Sequence, residues 1–600
     1  MTIVAPVKSR LCRLLLVAMV LPSALGAFEF KMGTPGAPES LSDDLRATSL
    51  VAGLRSDKDA QPIDVLAAAR SDYQRLLAVL YDAGYYGPVI SIRVDGKEAA
   101  DMSPLRVPQS IGRIDIQVTP GKAFRFSEAK IAPRAPQSTP PEGYAKGKRA
   151  RAGVIREAVD TAISDWRDIG HAKAAVSSQM LTANHARAQM LADIRLSPGP
   201  QLRFGKLILP PEGNVRSERI REIAGIPSGQ MFSPTELRRT GQRLRRTGTF
   251  RSVVVKEAEV PNADGTLDIE LELVEAKPRR FGLGAELGSI EGLSLSGFWM
   301  HRNLLGGAER LRFDAEVSGI SGQTGGIDYL LGARFDRPAT FNPDTTFYLE
   351  SRLEREDEPD YLENSALLEA GLTRVLNDEF SGSIAVAYSY SDITDDLGER
   401  QLTYLQLPTV LTYDNRDEEL DATKGYFAEV ELTPFFEFNS SSTGARLYAD
   451  TRGYFSPGQS DRLTAALRFQ IGTVVGADIT DIAPNMLFFS GGAGTVRGQP
   501  YQSLAVDLGG GTMVGGRSFL GASAEVRTKV SDSWSVVAFS DAGYVGEDSF
   551  GNGDGDWHFG AGLGVRYHTS LGPIRLDIAA PVGSNAGNNV EFYIGIGQAF

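Results

Sequence analysis

The chain has 600 residues, with 75 acidic and 62 basic side chains, a formal net charge of −13 and 65 glycines. This length is too great for one ordinary hydrophobic core, so we expect several domains. The acidic balance weighs against a nucleic-acid partner, because a phosphate-binding surface needs clustered cations.

Residues 1–27 have the pattern of a secretory signal peptide. Basic residues precede an apolar run at residues 14–21, and small residues follow it. The run is well short of the roughly 20 residues of a membrane-spanning helix. No later apolar run reaches that length either, so we predict no transmembrane helix. Because the single cysteine, Cys12, lies in this removable segment, the mature chain has no disulfide, zinc-thiolate site or cysteine nucleophile.

The part of the chain that follows contains an internal repeat. The stretch VTPGKAFRF from Val118 matches LSPGPQLRF from Leu196 at a displacement of 78 residues, and VEAKPRRFG repeats the end of the pattern. Before each junction a helical pattern stops at a glycine and runs into a strand pattern, as glycine usually does at a helix end. The three glycines are Gly84, Gly170 and Gly248. The sequence therefore predicts three small α/β modules, at residues 28–121, 122–199 and 200–276.

Each module is expected to have a half-exposed sheet. In the third module, Leu267, Ile269 and Leu271 alternate with acidic residues. A sheet with one solvated face and a free edge can accept a visiting strand. For any single copy, the pattern is explained equally well by a module whose only role is to space and stiffen the chain.

From residue 277 onward the pattern changes to strands of strict two-residue alternation. Leu463, Leu467 and Ile471, for example, interleave with Thr464 and Arg468. A soluble sandwich and a transmembrane barrel share this period, so alternation alone leaves both open. The secretory segment, the lack of a spanning helix and a length sufficient for about 16 strands favour an all-β transmembrane barrel at residues 277–600.

The end of the chain, EFYIGIGQAF, is also typical of an outer-membrane barrel. Four apolar side chains share one face of this last strand, and phenylalanine is the final residue. They are Phe592, Ile594, Ile596 and Phe600.

Several motifs together resemble the BamA/TamA superfamily of outer-membrane insertases, whose repeats are called POTRA domains. They are VRGQPYQSL, LTYDNRDEELDATKGYF, FSDAGYV and GVRYHTSLGPIRLDIAAPVG. The resemblance covers nearly the whole mature chain. It implies α+β POTRA repeats followed by the barrel, and a count of three repeats is that of the TamA members. It also implies an outer-membrane location with the repeats in the periplasm.

The resemblance implies a site inside the barrel. In the family, the Val-Arg-Gly stretch lies on a long loop that folds back to the inner wall. Matched by motif, Val496, Arg497 and Gly498 form this stretch, and Arg497 pairs with Glu525 and Asp541. An exposed turn arginine is the alternative for an isolated Arg-Gly. Asp541 also shares strand parity with the apolar residues Val537 and Phe539.

The resemblance further implies a mechanism without bond chemistry. The first and last barrel strands pair poorly, and this lateral seam opens to template an incoming strand or thin the membrane. Glycines weaken both strands, although they equally suit barrel curvature. The seam glycines are Gly282, Gly284, Gly595 and Gly597. The implied partners are a TamB-like inner-membrane-anchored protein docking on the first module, unfolded outer-membrane proteins or autotransporters, and outer-membrane lipid.

An enzyme and a passive channel are the main alternatives. The five histidines form no metal-binding spacing, GLSLSG at residue 292 is not a nucleophile elbow, and no phosphate-binding loop is present, so we expect no enzyme, cofactor or metal. A passive porin would not require three N-terminal modules. A two-partner secretion transporter remains a further possibility.

Overall fold

The structure of the protein is a computed structural model. It describes residues 28–55, 57, 60–211, 213–288, 292–322, 325–458, 461–531, 533–569, 572–583 and 590–596. The predicted signal peptide, Gly597 and Phe600 lie outside the described residues. No helix in the described part of the chain combines the length and apolarity needed to cross a membrane.

The first sheet has four strands in the order β1-β4-β2-β3. Its elements are β1 (Glu29–Gly33), α1 (Glu39–Thr48), α2 (Leu50–Leu54), α3 (Pro62–Asp82), β2 (Val89–Val94), β3 (Lys97–Glu98) and β4 (Arg113–Thr119). β2 and β4 pair antiparallel, as their alternation suggests, whereas β1 adds a parallel edge strand that the sequence pattern did not reveal. Leu66, Leu76 and Leu80 of α3 are buried in the core of this module.

The second and third sheets each have three strands, in the orders β5-β7-β6 and β8-β10-β9. Their elements are β5 (Arg125–Ala132), α4 (Ala152–Asp168), β6 (Ala175–Asn184), β7 (Gln189–Ser197), β8 (Arg203–Ile208), α5 (Ser217–Ala224), α6 (Pro234–Arg246), β9 (Phe250–Glu257) and β10 (Thr266–Glu275). Gly84, Gly170 and Gly248 have φ values of +82°, +96° and +67°, which is the left-handed conformation expected where these helices end. Each of the three sheets lies within one of the predicted module ranges.

The rest of the described chain forms a closed antiparallel barrel. Its strands are β11 (Arg279–Gly288), β12 (Gly292–His301), β13 (Arg310–Ile320), β14 (Asp328–Arg337), β15 (Thr345–Glu358), β16 (Tyr361–Val375), β17 (Phe380–Asp395), β18 (Gly398–Gln406), β19 (Thr409–Asp414), β20 (Gly425–Glu437), β21 (Thr443–Phe455), β22 (Leu463–Val475), β25 (Ser518–Lys529), β26 (Trp534–Gly546), β27 (Asp556–Thr569), β28 (Gly572–Val582) and β29 (Glu591–Ile596). The short strands β23 (Val506–Asp507) and β24 (Met513–Val514) form a separate hairpin within the loop that joins β22 to β25.

β18 and β19 are two parts of one strand. Both pair with β17 and both pair with β20 in a continuous register. The interruption falls at Leu407 and Pro408, and proline has no N–H to donate to a ladder. The described barrel therefore has sixteen strands, and the predicted fold class, α+β modules followed by an all-β barrel of about 16 antiparallel strands, is confirmed.

The two faces of the barrel wall differ as the alternation predicts. In β27, Phe559 and Leu563 point outward and are 43% and 65% exposed, whereas Gly564 and Arg566 are buried on the inner face. Large apolar side chains stay exposed on the outer face of most other strands as well. Lipid, rather than water, is the solvent in which such a surface is stable.

The third module is joined to the barrel by ion pairs. Asp344, in the turn between β14 and β15, accepts hydrogen bonds of 2.7 Å from Arg243 Nη2 and from Arg246 Nη2, both on α6. Partial burial alone would raise the pKa of Asp344, but these two arginines lower it below its ordinary value. The carboxylate of Asp344 is thus held in its charged form at this joint.

Candidate functional site: a loop arginine inside the barrel

The candidate site is formed where the loop between β22 and β25 meets the inner wall. This loop, residues 476–517, contains the predicted residues Val496, Arg497 and Gly498. Val496 is fully buried and Arg497 is only 2% exposed, although both lie in a loop rather than in a strand. A buried loop backbone requires partners for its polar groups, and the wall strands provide them.

The guanidinium of Arg497 contacts three carboxylates of the wall. Arg497 Nη1 lies 2.7 Å from Glu525 Oε1 in β25. Arg497 Nε and Nη2 donate to the two oxygens of Asp541 in β26, at 2.8 and 2.9 Å. Asp577 in β28 lies farther away, with its Oδ2 3.6 Å from Arg497 Nη1. The two parallel bonds to Asp541 use the planar fork that lysine lacks.

The contact between Arg497 and the ring of Phe539 explains why Asp541 lies on the same face of β26 as apolar residues. Val537, Phe539 and Asp541 all point into the barrel, where Val537 and Phe539 belong to a buried apolar cluster. The Arg497 guanidinium carbon lies 3.6 Å from the centroid of the Phe539 ring. A guanidinium stacked on an aromatic face keeps its edge free for carboxylates. The apolar neighbours of Asp541 thus form one wall of the arginine site.

Two further arginines balance the charge of the cluster. Arg527 Nε donates to Glu525 at 2.8 Å, and Arg566 pairs with Asp577. The cluster thus contains three guanidinium groups, on Arg497, Arg527 and Arg566, and three carboxylates. All six side chains are buried. Charges removed from water are stable only when they are paired in this way.

The protonation state of Arg497 is fixed by these neighbours. Burial alone would lower the pKa of Arg497, but the hydrogen bonds and charge of Asp541, together with the charges of Glu525 and Asp577, raise it above its ordinary value. The group stays charged at every accessible pH, so it acts as a permanent electrostatic anchor and not as a proton donor.

Close backbone approach at the site depends on two glycines. Gly498 has φ +91°, and a Cβ there would lie 2.7 Å from the carbonyl carbon of Ala580. Gly560 of β27 faces the loop, and a Cβ there would lie 1.9 Å from the carbonyl oxygen of Arg497. Gly494 differs, because nothing lies within 4 Å of a Cβ placed on it. The close approach of the loop to the wall therefore involves Gly498 and Gly560 but not Gly494.

Of the predicted seam glycines, Gly282 and Gly284 lie in β11 and Gly595 lies in β29, whereas Gly597 is outside the described residues. A Cβ on Gly282 would lie 2.3 Å from the Phe298 ring, and one on Gly284 would lie 2.6 Å from Ser296 Oγ, so both glycines make room for side chains of β12. Gly595 in β29 lies beneath an ion pair between Glu286 and Arg575. Of the predicted C-terminal residues, Phe592 and Ile594 are exposed on the outer face. Ile596 pairs with Ile574 through its backbone.

Sequence reasoning missed several residues of the site, Arg527 and Gly560 among them. Asp577 and Arg566 complete the charge cluster, and Tyr593 in β29 accepts a 3.1 Å hydrogen bond from the Gly498 N–H through its hydroxyl. The sequence did contain a signal for Asp577 and Arg566, since each is a charged residue at a polar position of a strand with two-residue alternation. Nothing in the sequence indicated that Tyr593 would contact the loop. Among the described residues, no group of three or more histidine, cysteine or acidic side chains is arranged to hold a metal ion.

Comparison with known proteins agrees with this architecture. Residues 303–600 match the family model of the Omp85 superfamily domain. The chain is similar to BamA from Haemophilus ducreyi lacking POTRA domains 1-3, with a TM-score of 0.57 and 16% identity over 79% of this chain and 100% of that chain. It is also similar to CdiB from Acinetobacter baumannii, with a TM-score of 0.50 and 14% identity over 80% of this chain and 90% of that one. At these identities the two likenesses concern the fold.

Proposed function

We propose that this protein, whose residues 303–600 match the Omp85 superfamily domain, assists the assembly of barrel proteins and autotransporters in the outer membrane. In this proposal the barrel spans the membrane and the three α/β modules are POTRA domains in the periplasm. No bond chemistry is involved. The protein acts by offering strand edges and a lateral seam to an unfolded substrate.

The short seam is the observation that carries this proposal. Among the described residues, β11 and β29 pair at two positions, Leu287 with Ile594 and Gly288 with Tyr593. Over the same six described residues of β29, Glu591–Ile596, every position pairs with β28 on the other side. Each paired residue adds to the stability of a strand pair. The free energy needed to separate β11 from β29 is therefore lower than that for strands paired along their whole length. An incoming strand can then pair with the exposed edge.

The loop packing weighs against a passive channel. Besides the Arg497 anchor, the loop contributes Ile482, Met486 and Phe488 to a buried apolar cluster with wall residues such as Tyr404 and Phe519. These apolar side chains are buried between the loop and the wall instead of lining a hydrated lumen. A two-partner secretion-type transporter is the second candidate function, and the likeness in fold to CdiB from Acinetobacter baumannii supports it.

The N-terminal modules support the assignment of a periplasmic partner. Three modules match the count in the TamA members, and we propose a TamB-like, inner-membrane-anchored protein as the partner of the first module. The proposed substrates are unfolded outer-membrane proteins or autotransporters, and the local lipid is a further contact. In the second module, β6 is an edge strand that pairs only with β7 among the described residues, so its other edge can accept a strand.

Depletion of the protein in its host tests this function. We expect reduced levels of some folded barrel proteins or autotransporters in the outer membrane, restored by the wild-type gene and not by an Arg497→Ala variant. Arg352→Ala is the matched control, because Arg352 also pairs with a carboxylate, Glu350 at 3.1 Å, but is 44% exposed. Unchanged levels of every such protein after depletion would contradict the proposal.

A further inference from the structure

The last strand of the barrel touches both the seam and the loop anchor. Tyr593 pairs through its backbone with Gly288 of β11, which closes the seam. Its side chain points into the barrel and is 3% exposed. The Tyr593 hydroxyl accepts the 3.1 Å hydrogen bond from the Gly498 N–H and donates its own proton to Glu591. One residue thus takes part in the two structures that the proposed function uses.

The ring of Tyr593 strengthens this connection. It lies in the buried cluster that contains Val537 and Phe539, and Phe539 is the ring on which the Arg497 guanidinium stacks. Moving β29 away from β11 would carry Tyr593 with it. The Gly498 N–H would then lose its acceptor inside the barrel, and an unsatisfied buried donor is costly.

We propose that Tyr593 couples two events: the packing of the loop against the inner wall, called seating below, and the pairing of β29 with β11 that closes the seam. When the loop is seated, Gly498 and the Phe539 cluster hold Tyr593, and β29 stays paired with β11. When β29 separates, the loop anchor is weakened. Because coupling between two equilibria is reciprocal, loosening the loop must also loosen the seam. The biological meaning of this coupling rests on the proposed function.

A second contact across the seam provides a comparison. Glu286 of β11 and Arg575 of β28 form a 2.7 Å ion pair that passes over β29 at Gly595. A Cβ on Gly595 would lie 3.0 Å from Arg575 Nε and 3.2 Å from Glu286 Oε1, so the absence of a side chain leaves room for the pair. This ion pair spans the seam, and among the described residues no hydrogen bond or ion pair links it to loop residues 496–498. It should therefore affect the seam alone.

Hydrogen exchange on the purified full-length protein in detergent micelles tests the coupling. Exchange is followed in a loop peptide spanning residues 492–499 and in the C-terminal peptide from residue 590. Tyr593→Phe keeps the ring and removes the hydroxyl, and we expect exchange about fivefold faster in both peptides, as for the loss of one hydrogen bond. Glu286→Gln should speed exchange in the C-terminal peptide only.

Two further variants make the outcome decisive. Arg497→Lys, which loosens the loop, should also speed exchange in the C-terminal peptide. Tyr567→Phe removes a hydroxyl from the outer face of β27 and should change neither peptide. The coupling is wrong if Tyr593→Phe affects the loop peptide alone or neither peptide, or if Arg497→Lys leaves the C-terminal peptide unchanged. These results concern the purified protein, so they are independent of whether depletion impairs assembly in cells.

Discussion

Gly560 of β27 lies directly against the carbonyl of Arg497, and the loop occupies the space that a side chain at position 560 would fill. A Cβ at this position would lie 1.9 Å from the Arg497 oxygen and 3.3 Å from Val496 Cγ1. The first distance is far below any real contact. The seated loop and a residue larger than glycine at position 560 are therefore mutually exclusive.

Gly560→Ala should unseat the loop while the barrel still forms, since the clash is with the loop backbone and not with the wall. The expected result is faster hydrogen exchange in the peptide spanning residues 492–499 and new protease cleavage in the loop. Gly332→Ala in β14 is the matched control, because the nearest atom to its added Cβ is 3.7 Å away. A protected, uncleaved loop in the Gly560→Ala protein would refute the close contact.

Arg497→Ala should lower barrel stability markedly, because it removes the ion-pair partner of the buried Asp541 carboxylate and leaves Glu525 with Arg527. Breaking a buried pair costs about 3–5 kcal/mol. The temperature at which the barrel loses its fast-migrating folded form on a gel measures this loss. Arg497→Lys keeps the charge but not the bidentate geometry. The midpoint temperature of its unfolding should therefore lie between those of the wild type and Arg497→Ala. Equal midpoints for all three proteins would contradict the anchor.

Asp344→Asn should loosen the joint between the third module and the barrel. It removes the charge that Arg243 and Arg246 share at 2.7 Å, and Arg243 is almost fully buried. We expect faster hydrogen exchange in α6 and unchanged exchange in the barrel strands. Asp378→Asn is the control, since Asp378 and its partner Arg238 are both about half exposed and such pairs contribute little.

The same joint should respond to acid in the wild-type protein. The pKa of Asp344 is lower in the folded protein than its ordinary value of 3.8. Its contribution is therefore fully present above that ordinary value and is lost as the pH falls through the lowered pKa. Exchange in α6 should stay slow down to pH 4 and rise only under more acidic conditions. A rise near neutral pH would show that another group controls the joint.

Removal of the first module, residues 28–121, should separate partner binding from barrel insertion. Its core is formed by its own helices and sheet, with Leu45, Leu76 and Ile116 buried among them, so the remaining chain keeps its other cores. We expect the shortened protein to reach the outer membrane and to lose copurification with the proposed TamB-like partner. Copurification that persists without this module would place the docking surface elsewhere.

Much of the fold followed from local patterns. Two-residue alternation in a strand such as β22 determines which side chains share a face, and the glycine after each helix marks where the chain turns back into a sheet. The parallel edge strand β1 escaped detection, because its alternation of Phe30 and Met32 with Glu29 and Lys31 covers only five residues. The interruption between β18 and β19 was also missed, since Pro408 marks a break in pairing only once the neighbouring strands are known.

The sequence by itself determined the faces of the strands, because these depend on a period of two residues, while the internal repeat showed the modules and the secretory segment and chain length favoured a barrel over a sandwich. The tertiary structure alone decided the partners that no motif indicated. Arg497 meets Asp577 and Gly498 meets Tyr593 across 80 and 95 residues of chain. Such contacts depend on the stagger of strands around a closed barrel and on the path of a loop through its interior. That geometry also explains why Asp541 faces inward beside Phe539, since an aromatic ring on the inner wall is stabilised when a guanidinium covers it.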